Sequence, residues 1–346
     1  MKLKSLFSPV MTLLCLLSLL MWYLLESDVD QHLPAPQRRR ASKTFDLCKE
    51  CNNTIIKVMQ NYSQAWKKQE DNFKKFRSQL SNNSSGFDNA ILTQANTPVG
   101  SKLVYNWGKS SLQVSPEVFN TFTKEHPFSN KTWDTCSVVG NGGILTDSSC
   151  GERIDSAQFV MRCNLPPLGN GYEKHVGVKT DLVTANPSIL KEKYESLMKR
   201  RRPFVESLHI YDNSLLVFPF SRGNTPVCLR AIYSVEDFGS PIRPVFLNPE
   251  YQIRLGAFWS VQGLGSALMS TGLVMTSIAL EVCENVHLYG FWPFDNHPYG
   301  LYDLTHHYYD DRKAKRFHAM PKEFGLLMQL HRKGVLKLHL GDCQRL

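Results

Sequence analysis

Three histidines stand near the end of the chain, in the segment HHYYDDRKAKRFHAMPKEF (306–324). Histidine has the ordinary pKa closest to neutral pH, so it serves as a general base when neutral and stabilises a departing anion when protonated. Carboxylates and cations accompany the histidines in this segment. The grouping predicts a site that removes a proton from one reactant and accommodates negative charge on another.

A glycine-rich turn, Gly140-Asn141-Gly142-Gly143, lies some 165 residues before the histidines. It directly follows a short apolar run. Backbone amides in such a turn can bind a phosphate. The turn departs from the dinucleotide fingerprint G-x-G-x-x-G, because Leu145 occupies the position of the third glycine. The Asn141 carboxamide both donates and accepts hydrogen bonds, which suits a ribose or a pyrimidine edge. A plain β-turn without a ligand is the alternative.

Short β-branched runs alternate with longer amphipathic segments from about residue 95 onward, which is typical of a sheet with crossover helices. The predicted strands are 136–140, 159–163, 181–186, 215–220, 244–248, 286–292 and 336–340. Helices are predicted at 270–285 and at 321–334, the second with Pro321 at its first position and Gly334 at its end. A helical apolar stripe also runs from Thr54 to Leu80. The sequence thus predicts an α/β, Rossmann-like, mostly parallel sheet flanked by helices.

The composition is that of a basic globular protein. The chain has 346 residues, of which 42% are hydrophobic and 21% charged, with a formal net charge of +9. A positive surplus favours anionic ligands, whether nucleic acid, lipid headgroups or acidic metabolites. No long Lys/Arg tract interleaved with aromatic residues occurs, so we expect no nucleic-acid partner.

The N-terminal run LFSPVMTLLCLLSLLMWYLL (6–25) is uncharged and long enough to cross a bilayer as a helix. Two lysines precede it and three carboxylates follow it closely, so the positive-inside rule places the short tail in the cytoplasm. A cleaved signal peptide is the alternative, which the length of the run and the lack of an A-x-A-like site disfavour. The predicted organisation is a cytoplasmic tail (1–5), a transmembrane signal anchor (6–25), a luminal stem (26–94) and a luminal folded domain (95–346).

Two features of the sequence agree with a luminal location. N-x-S/T sequons begin at Asn52, Asn61, Asn82, Asn83 and Asn130, and such sites are glycosylated only in the secretory pathway. Nine cysteines fit an oxidising compartment. Cys48 and Cys51 have the spacing of a metal or redox pair but lack a second Cys/His pair, so we interpret them as stem disulfide chemistry, including a bridge between two copies of a homodimer.

Four segments resemble the sialylmotifs of animal sialyltransferases, glycosyltransferase family 29. The segment CSVVGNGGILTDSSCGERIDSAQFVMRCNLPPL (136–168) is similar to the long motif, and SALMSTGLVMTSIALEVCENVHLYGFWPF (266–294) to the short one. HYYD (307–310) resembles the third motif, and HAMPKE, with His318 and Glu323, the very short one. The segments RCNLPP, STGL, YGFWPF and HHYYD narrow the resemblance to the α2,8-sialyltransferase branch.

The resemblance implies a modified GT-A fold, a single-pass Golgi membrane enzyme, and inverting transfer from cytidine monophosphate (CMP)-sialic acid without a metal or other cofactor. The only D-x-D sequence, Asp28-Val29-Asp30, lies in the linker. A monophosphate leaving group carries less charge than a diphosphate, so protonated histidine and amide dipoles can stabilise it. Metal ligation by His306, His307, Asp310 and Asp311 is the alternative.

The resemblance assigns the acid and base roles to two histidines. His318 matches the catalytic base, and His307 matches the residue that contacts the departing phosphate. His318 also precedes a predicted helix, whose N-terminal dipole disfavours a cation and keeps the imidazole neutral. Two readings of Glu323 remain open, since it can orient His318 or cap the helix.

The resemblance also assigns binding of the donor. The matching residues are Asn141, Asn164, Ser270, Thr271, Gly272 and Trp292. The two asparagines are expected on the nucleotide and phosphate side, the Ser-Thr-Gly group at the carboxylate and phosphate, and Trp292 at the nucleoside. Helix capping by Ser270 and core packing by Trp292 are the alternatives that need no ligand.

Two disulfides follow from the same resemblance. It pairs Cys136 with Cys283 and Cys150 with Cys343. Each bridge would close a loop of well over a hundred residues and constrain the unfolded chain. Cys163 and Cys228 are then left as buried free thiols.

The sequence gives less information about the acceptor. The segments 101–134 and 237–256 are nearly neutral, so addition of one or a few sialic acids is favoured over synthesis of a long polyanion. The expected acceptor ends in sialic acid, on a ganglioside in preference to an O-glycoprotein. Lys313, Lys315 and Arg316 lie between the two histidines and can meet its carboxylate. The alternatives are an α2,3- or α2,6-sialyltransferase for unsialylated glycans and a catalytically silent luminal sialoglycan-binding protein.

Overall fold

The structure, a computed structural model, describes residues 49–62, 65–105, 110–128, 131–220, 223–266, 268–299, 302–311 and 319–343. The strands are β1 (Lys102–Tyr105), β2 (Ser110–Gln113), β3 (Trp133–Val139), β4 (Phe159–Arg162), β5 (Leu182–Thr184), β6 (Leu215–Pro219), β7 (Arg243–Leu247), β8 (Cys283–Tyr289) and β9 (Lys337–His339). The helices are α1 (Lys49–Tyr62), α2 (Glu70–Ser84), α3 (Pro116–Asn120), α4 (Gly151–Asp155), α5 (Glu173–Val176), α6 (Pro187–Glu192), α7 (Arg201–Leu208), α8 (Thr225–Asp237), α9 (Pro249–Trp259), α10 (Thr271–Val282) and α11 (Met320–Arg332).

The central sheet has seven strands in the order β7-β6-β5-β4-β3-β8-β9, and all its pairings are parallel. The chain leaves β3 towards β4 on one side, whereas the chain that leaves β8 continues to β9 on the other side. The order therefore reverses between β3 and β8. In open α/β sheets a ligand crevice lies beyond the carboxyl ends of the strands at such a switch point.

All seven predicted strands of this sheet are confirmed, with ends that agree within three residues. The helix predicted at 270–285 is too long, because its last three residues begin β8 and Cys283 pairs with Trp133 of β3. The other predicted helix is α11, in which Pro321 is the second residue and Gly334 follows the end with a φ of +67°.

The apolar stripe from Thr54 to Leu80 forms two helices, α1 and α2. Trp66, between these two helices, is hydrogen-bonded to the residue before β9. Its indole Nε1 donates to the carbonyl of Leu336 at 3.0 Å. Phe73, Phe76 and Leu80 of α2 are buried in the same hydrophobic core as β3 and β8. A segment that the sequence assigns to the stem thus packs on the folded domain.

Arg77 of α2 lies at the C-terminal end of α10. Its guanidinium donates to the carbonyls of Leu280 and Cys283 and pairs with Glu284, with a closest distance of 2.7 Å to the carboxylate. The carbonyls at the end of a helix carry partial negative charge, so a cation there is stabilising. This contact connects α2 to the strand that carries the Cys136–Cys283 bridge.

The predicted membrane anchor (6–25) lies outside the described residues. Of the helices that the structure does describe, none combines the length and the apolar character needed to cross a bilayer. Asn61, Asn82 and Asn83 are exposed on α1 and α2, whereas the Asn52 side chain and Asn130 fall outside the described part. Glycosylation of these sequons remains a prediction.

Three histidines lie close together near the end of α1, namely His287 of β8, His339 of β9 and His331 of α11, whose ring stacks on Tyr62. Nδ1 of His287 lies 3.0 Å from Nε2 of His339, and Nδ1 of His331 accepts a hydrogen bond of 3.1 Å from the backbone N–H of Leu338. Burial lowers the pKa of His287 and of His331 to about 4, and the Lys337 ammonium adds to the effect. Burial also lowers the pKa of His339 well below its usual value. All three rings are held neutral at pH 6 to 7.

We expect this cluster to make the fold sensitive to acid. The folded pKa values lie below the ordinary 6.5, so the unfolded chain binds more protons, and the stabilisation present above about pH 6.5 is lost as the pH falls towards 4. Each histidine should contribute about 1 to 2 kcal/mol of the loss between pH 7 and pH 5. Urea unfolding at both pH values measures it. His287→Asn should reduce the pH dependence, and His209→Gln, at an exposed position, is the control that should not. An unchanged pH dependence in His287→Asn would contradict the prediction.

Candidate active site

The glycine turn after β3 packs backbone against backbone. A Cβ on Gly142 would lie 2.5 Å from the carbonyl oxygen of Gly290, and one on Gly143 would collide with the carbonyl oxygen of Thr305. The amides of Gly140 and Gly142 donate to the carbonyls of Tyr289 (2.8 Å) and Gly290 (3.1 Å). These two amides are therefore used within the protein and are not the phosphate cradle that the sequence suggests. The glycines are needed because three loops meet here.

Asn141 connects the turn to two other motifs. Its backbone carbonyl accepts from the N–H of Tyr308 (2.9 Å), and its Nδ2 donates to the carbonyl of Cys163 (2.8 Å). Its Oδ1 is buried and has no hydrogen-bond partner in the described part of the chain. A buried acceptor without a donor is costly, which makes Asn141 Oδ1 a candidate acceptor for a ligand N–H or O–H.

His307 lies against the glycine turn, with which it forms an isolated β-bridge at Gly142. Its Nδ1 is 3.0 Å from a carboxylate oxygen of Asp310, and its ring stacks on that of Tyr309 at 5.2 Å between centroids. The carboxylate on Nδ1 fixes the ring and directs Nε2 away from Asp310. The imidazole of His306 is adjacent, and burial followed by the neighbouring His307 lowers the pKa of His306.

Tyr308 was not predicted to have a role, yet it joins the third motif to the long one. Its buried hydroxyl donates to the carbonyl of Pro167 at 2.6 Å, and burial raises its pKa, so the hydroxyl keeps its proton. The segment that it contacts begins with Asn164 and Leu165, both with positive φ (62° and 47°). Adjacent residues in this strained region are held only by such surrounding contacts. The only signal for Tyr308 in the sequence is its place inside the HYYD segment.

The N-terminus of α10 is held by both predicted and unpredicted contacts. Ser270 caps the helix as predicted, with Oγ accepting from the N–H of Leu273 at 3.2 Å. The buried carboxylate of Glu323 accepts from the Ser270 backbone N–H at 2.8 Å and from its hydroxyl. Glu323 therefore connects α11 to the segment predicted to bind the donor, a role that neither sequence-based reading of Glu323 included.

Gly272 and Trp292 both pack against phenylalanine rings. A Cβ on Gly272 would be 2.8 Å from the ring of Phe291, so a side chain there requires that ring to move. Trp292 is buried, packs edge-on against Phe294 and Phe324, and donates from Nε1 to the carbonyl of Asn296 at 2.8 Å. Trp292 thus has the core-packing role, and its contact with a nucleoside remains a prediction.

The structure brings together Asn141, Asn164, the Ser270–Gly272 group and His307, all beyond the carboxyl ends of the central strands. His318, Lys313, Lys315 and Arg316 lie outside the described residues, so their roles remain predictions. No three or more His, Cys, Asp or Glu side chains within the described ranges are grouped to hold a metal ion.

The predicted disulfides are confirmed. Cys136 is bonded to Cys283 across β3 and β8, and Cys150 is bonded to Cys343. Among the described cysteines, Cys163 and Cys228 are free and buried, and burial raises the pKa of each thiol to about 12. The two bridges close loops with sequence separations of 147 and 193 residues.

We expect Gly143→Ala to damage the crevice. The new methyl group meets the backbone of Thr305, which cannot rotate away, so we expect a loss of about 2 kcal/mol or more in the free energy of unfolding. Gly325→Ala is the control. No heavy atom lies within 4 Å of its Cβ, and alanine in a helix should add about 0.5 to 1 kcal/mol. Urea unfolding measures both, and equal midpoints for Gly143→Ala and wild type would contradict the prediction.

The chain is similar to known sialyltransferases. The profile of glycosyltransferase family 29 (sialyltransferase) matches residues 91–335. Human alpha-2,8-sialyltransferase 8E is 43% identical over 308 residues, which cover 88% of this chain and 79% of that protein. The alpha-N-acetylneuraminide alpha-2,8-sialyltransferase of Xenopus tropicalis is 41% identical over 297 residues, covering 84% and 85%.

Among solved structures, a mammalian sialyltransferase in complex with Gal-beta-1-3GalNAc-ortho-nitrophenol matches 90% of this chain and 92% of its own, with a TM-score of 0.46 and 19% identity. The family profile covers most of the chain, and the two relatives exceed 40% identity over more than four fifths of it. The chain therefore belongs to glycosyltransferase family 29, the sialyltransferases.

Proposed function

We propose that this sialyltransferase transfers sialic acid from CMP-sialic acid, with inversion, to the 8-hydroxyl of a terminal sialic acid. Both relatives above are named as α2,8-sialyltransferases. The observation that carries the proposal is the contact between the glycine turn and the HYYD segment, through Asn141 and Tyr308, at the switch point of the sheet. It brings the segment that carries His307 against the turn that carries Asn141, whose buried Oδ1 has no partner among the described residues.

The proposed reaction needs one base and one group that stabilises the leaving phosphate. His318 removes the proton from the acceptor hydroxyl, whose oxygen forms a bond to C2 of the donor sugar. The bond from C2 to the phosphate oxygen breaks, and its electron pair leaves with CMP. Protonated His307, oriented by Asp310, and the hydrogen-bond donors at the start of α10 offset the charge on that phosphate, so no step requires a metal.

The acceptor we propose is a sialylated glycan that takes one or a few further sialic acids. The name of the Xenopus tropicalis relative specifies an alpha-N-acetylneuraminide, which agrees with a terminal sialic acid. We favour a ganglioside over an O-glycoprotein. We further propose a modified GT-A fold for residues 95–346, a stem at 26–94 whose helix α2 packs on that fold, a signal anchor at 6–25, a luminal Golgi location and a homodimer.

A transfer assay tests the proposal. The full chain, purified in detergent, is incubated with labelled CMP-sialic acid and with sialylated and desialylated forms of the same glycolipid and O-glycan. We expect label only on the sialylated acceptors, in a linkage that an α2,8-specific sialidase removes. Label on desialylated galactose would indicate α2,3 or α2,6 transfer instead, and donor binding without transfer would indicate a silent binding protein.

His318→Ala should abolish transfer and leave CMP binding intact, because the base acts on the acceptor. His209→Ala, at an exposed histidine, serves as the control and should retain activity. Addition of EDTA should leave the rate unchanged. Normal turnover by His318→Ala, or loss of activity with EDTA that Mg²⁺ or Mn²⁺ restores, would contradict the mechanism.

Asp310→Asn should lower kcat by about tenfold or more while donor KM changes little. The amide keeps the shape of the carboxylate but removes the charge that supports protonated His307, which acts when the phosphate leaves. Asp311→Asn, one residue further along and exposed, is the matched control. Steady-state kinetics in both substrates measure the effect. An equal loss in both variants would show that Asp310 has no specific role.

A further inference from the structure

Two strands of the central sheet are followed by the same dipeptide. Asn186-Pro187 follows β5 and begins α6, and Asn248-Pro249 follows β7 and begins α9. Asparagine before a helix that starts with proline is the expected N-cap. Asn248 fulfils this role, since its Oδ1 accepts from the N–H of Glu250 at 2.9 Å. Asn186 makes no side-chain cap hydrogen bond to its own helix.

The carboxamide of Asn186 is directed instead to the start of α10. Its Nδ2 donates to Oγ1 of Thr271 at 3.1 Å, and its Oδ1 accepts a longer hydrogen bond of 3.3 Å from the same hydroxyl. The backbone N–H of Asn186 donates to Oδ1 of Asn164 at 2.9 Å. One residue thus contacts a predicted donor-binding residue of the long motif and another of the short motif, and it belongs to neither motif.

These hydrogen bonds determine which hydrogens of Asn164 and Thr271 are available to donate to a ligand. The oxygen of the Asn164 carboxamide is occupied by Asn186, and its Nδ2 donates to no residue that the structure describes. The Thr271 hydroxyl has one hydrogen and two acceptor positions. While Asn186 Nδ2 donates to Thr271 Oγ1, the hydroxyl hydrogen can turn from its longer bond with Asn186 Oδ1 to a bound anion, and the two hydrogen bonds then strengthen each other.

We propose that Asn186 is a positioning residue for the sugar-nucleotide donor. It holds Asn164 and Thr271 so that both present hydrogens to the anionic part of CMP-sialic acid. This inference rests on the proposed function, because the donor roles of Asn164 and Thr271 belong to it. Asn186 acts through these two residues and takes no part in proton transfer to or from the acceptor.

The proposal predicts a specific kinetic effect. Asn186→Ala should raise donor KM and the Kd for CMP by about tenfold, with acceptor KM nearly unchanged. Asn186→Asp should be worse by about a further tenfold, because the carboxylate cannot donate to Thr271 and repels an anionic ligand. Calorimetric titration with CMP measures the affinity without turnover, and steady-state kinetics give the two KM values.

A double-mutant cycle tests whether Asn186 affects CMP binding through Thr271. If Asn186 acts through Thr271, the pair Asn186→Ala and Thr271→Val should weaken CMP binding less than the product of the two single effects. Asn248→Ala is the matched control at the other Asn-Pro dipeptide. It should lower the melting temperature by removing a helix cap and leave donor KM and CMP affinity at the wild-type values.

The results separate this inference from the proposed function. An unchanged CMP affinity in Asn186→Ala, fully multiplicative effects in the cycle, or an equal weakening in Asn248→Ala would each overturn the positioning role. If the wild-type chain binds CMP but transfers no sialic acid, the proposed reaction falls, while the CMP titrations still decide the role of Asn186. If the wild-type chain does not bind CMP, both fall.

Discussion

Close contact between backbones at the switch point of the sheet is the constraint on which the rest of the site depends. The turn after β3 approaches Gly290 and Thr305 so closely that no Cβ fits on Gly142 or Gly143. Backbone atoms cannot adopt other rotamers, so this contact fixes the relative positions of the segments with little freedom. The disulfide between Cys136 and Cys283 holds the two central strands on which these loops are carried. The position of His307 follows from this arrangement.

A second level of order comes from hydrogen bonds between side chains and distant backbone. Tyr308 bonds the carbonyl of Pro167, and Glu323 bonds Ser270, so each predicted motif is connected to at least one other by a polar contact that is buried or half-buried. Such contacts are directional and strong where water is excluded. They explain why segments far apart in the chain can present groups to one small ligand with fixed geometry.

The sequence predicted the strands well, because buried parallel strands appear as short apolar runs between loops. It also predicted the Ser270 cap, which depends on local geometry. The residue pattern alone could not predict that β8 lies beside β3, which only the disulfide pairing implied by the resemblance indicated. It also could not predict that Glu323 bonds Ser270, since that depends on a contact between distant segments. Asn186 illustrates the limit most clearly. The local pattern matches a helix cap, and only the contact between the residue after β5 and the first residue of α10 reveals another partner.

The sheet order has a consequence for biosynthesis. β3 pairs with β8, and Cys283 of β8 is synthesised 147 residues after its disulfide partner Cys136 of β3. Cys343 is synthesised 193 residues after its partner Cys150. If the chain is synthesised into the oxidising compartment that we propose, Cys136 and Cys150 emerge together with the free Cys163 well before Cys283 and Cys343. Early oxidation would join the wrong thiols, an error that rapid burial of Cys163, just after β4, would prevent and that a disulfide isomerase would correct.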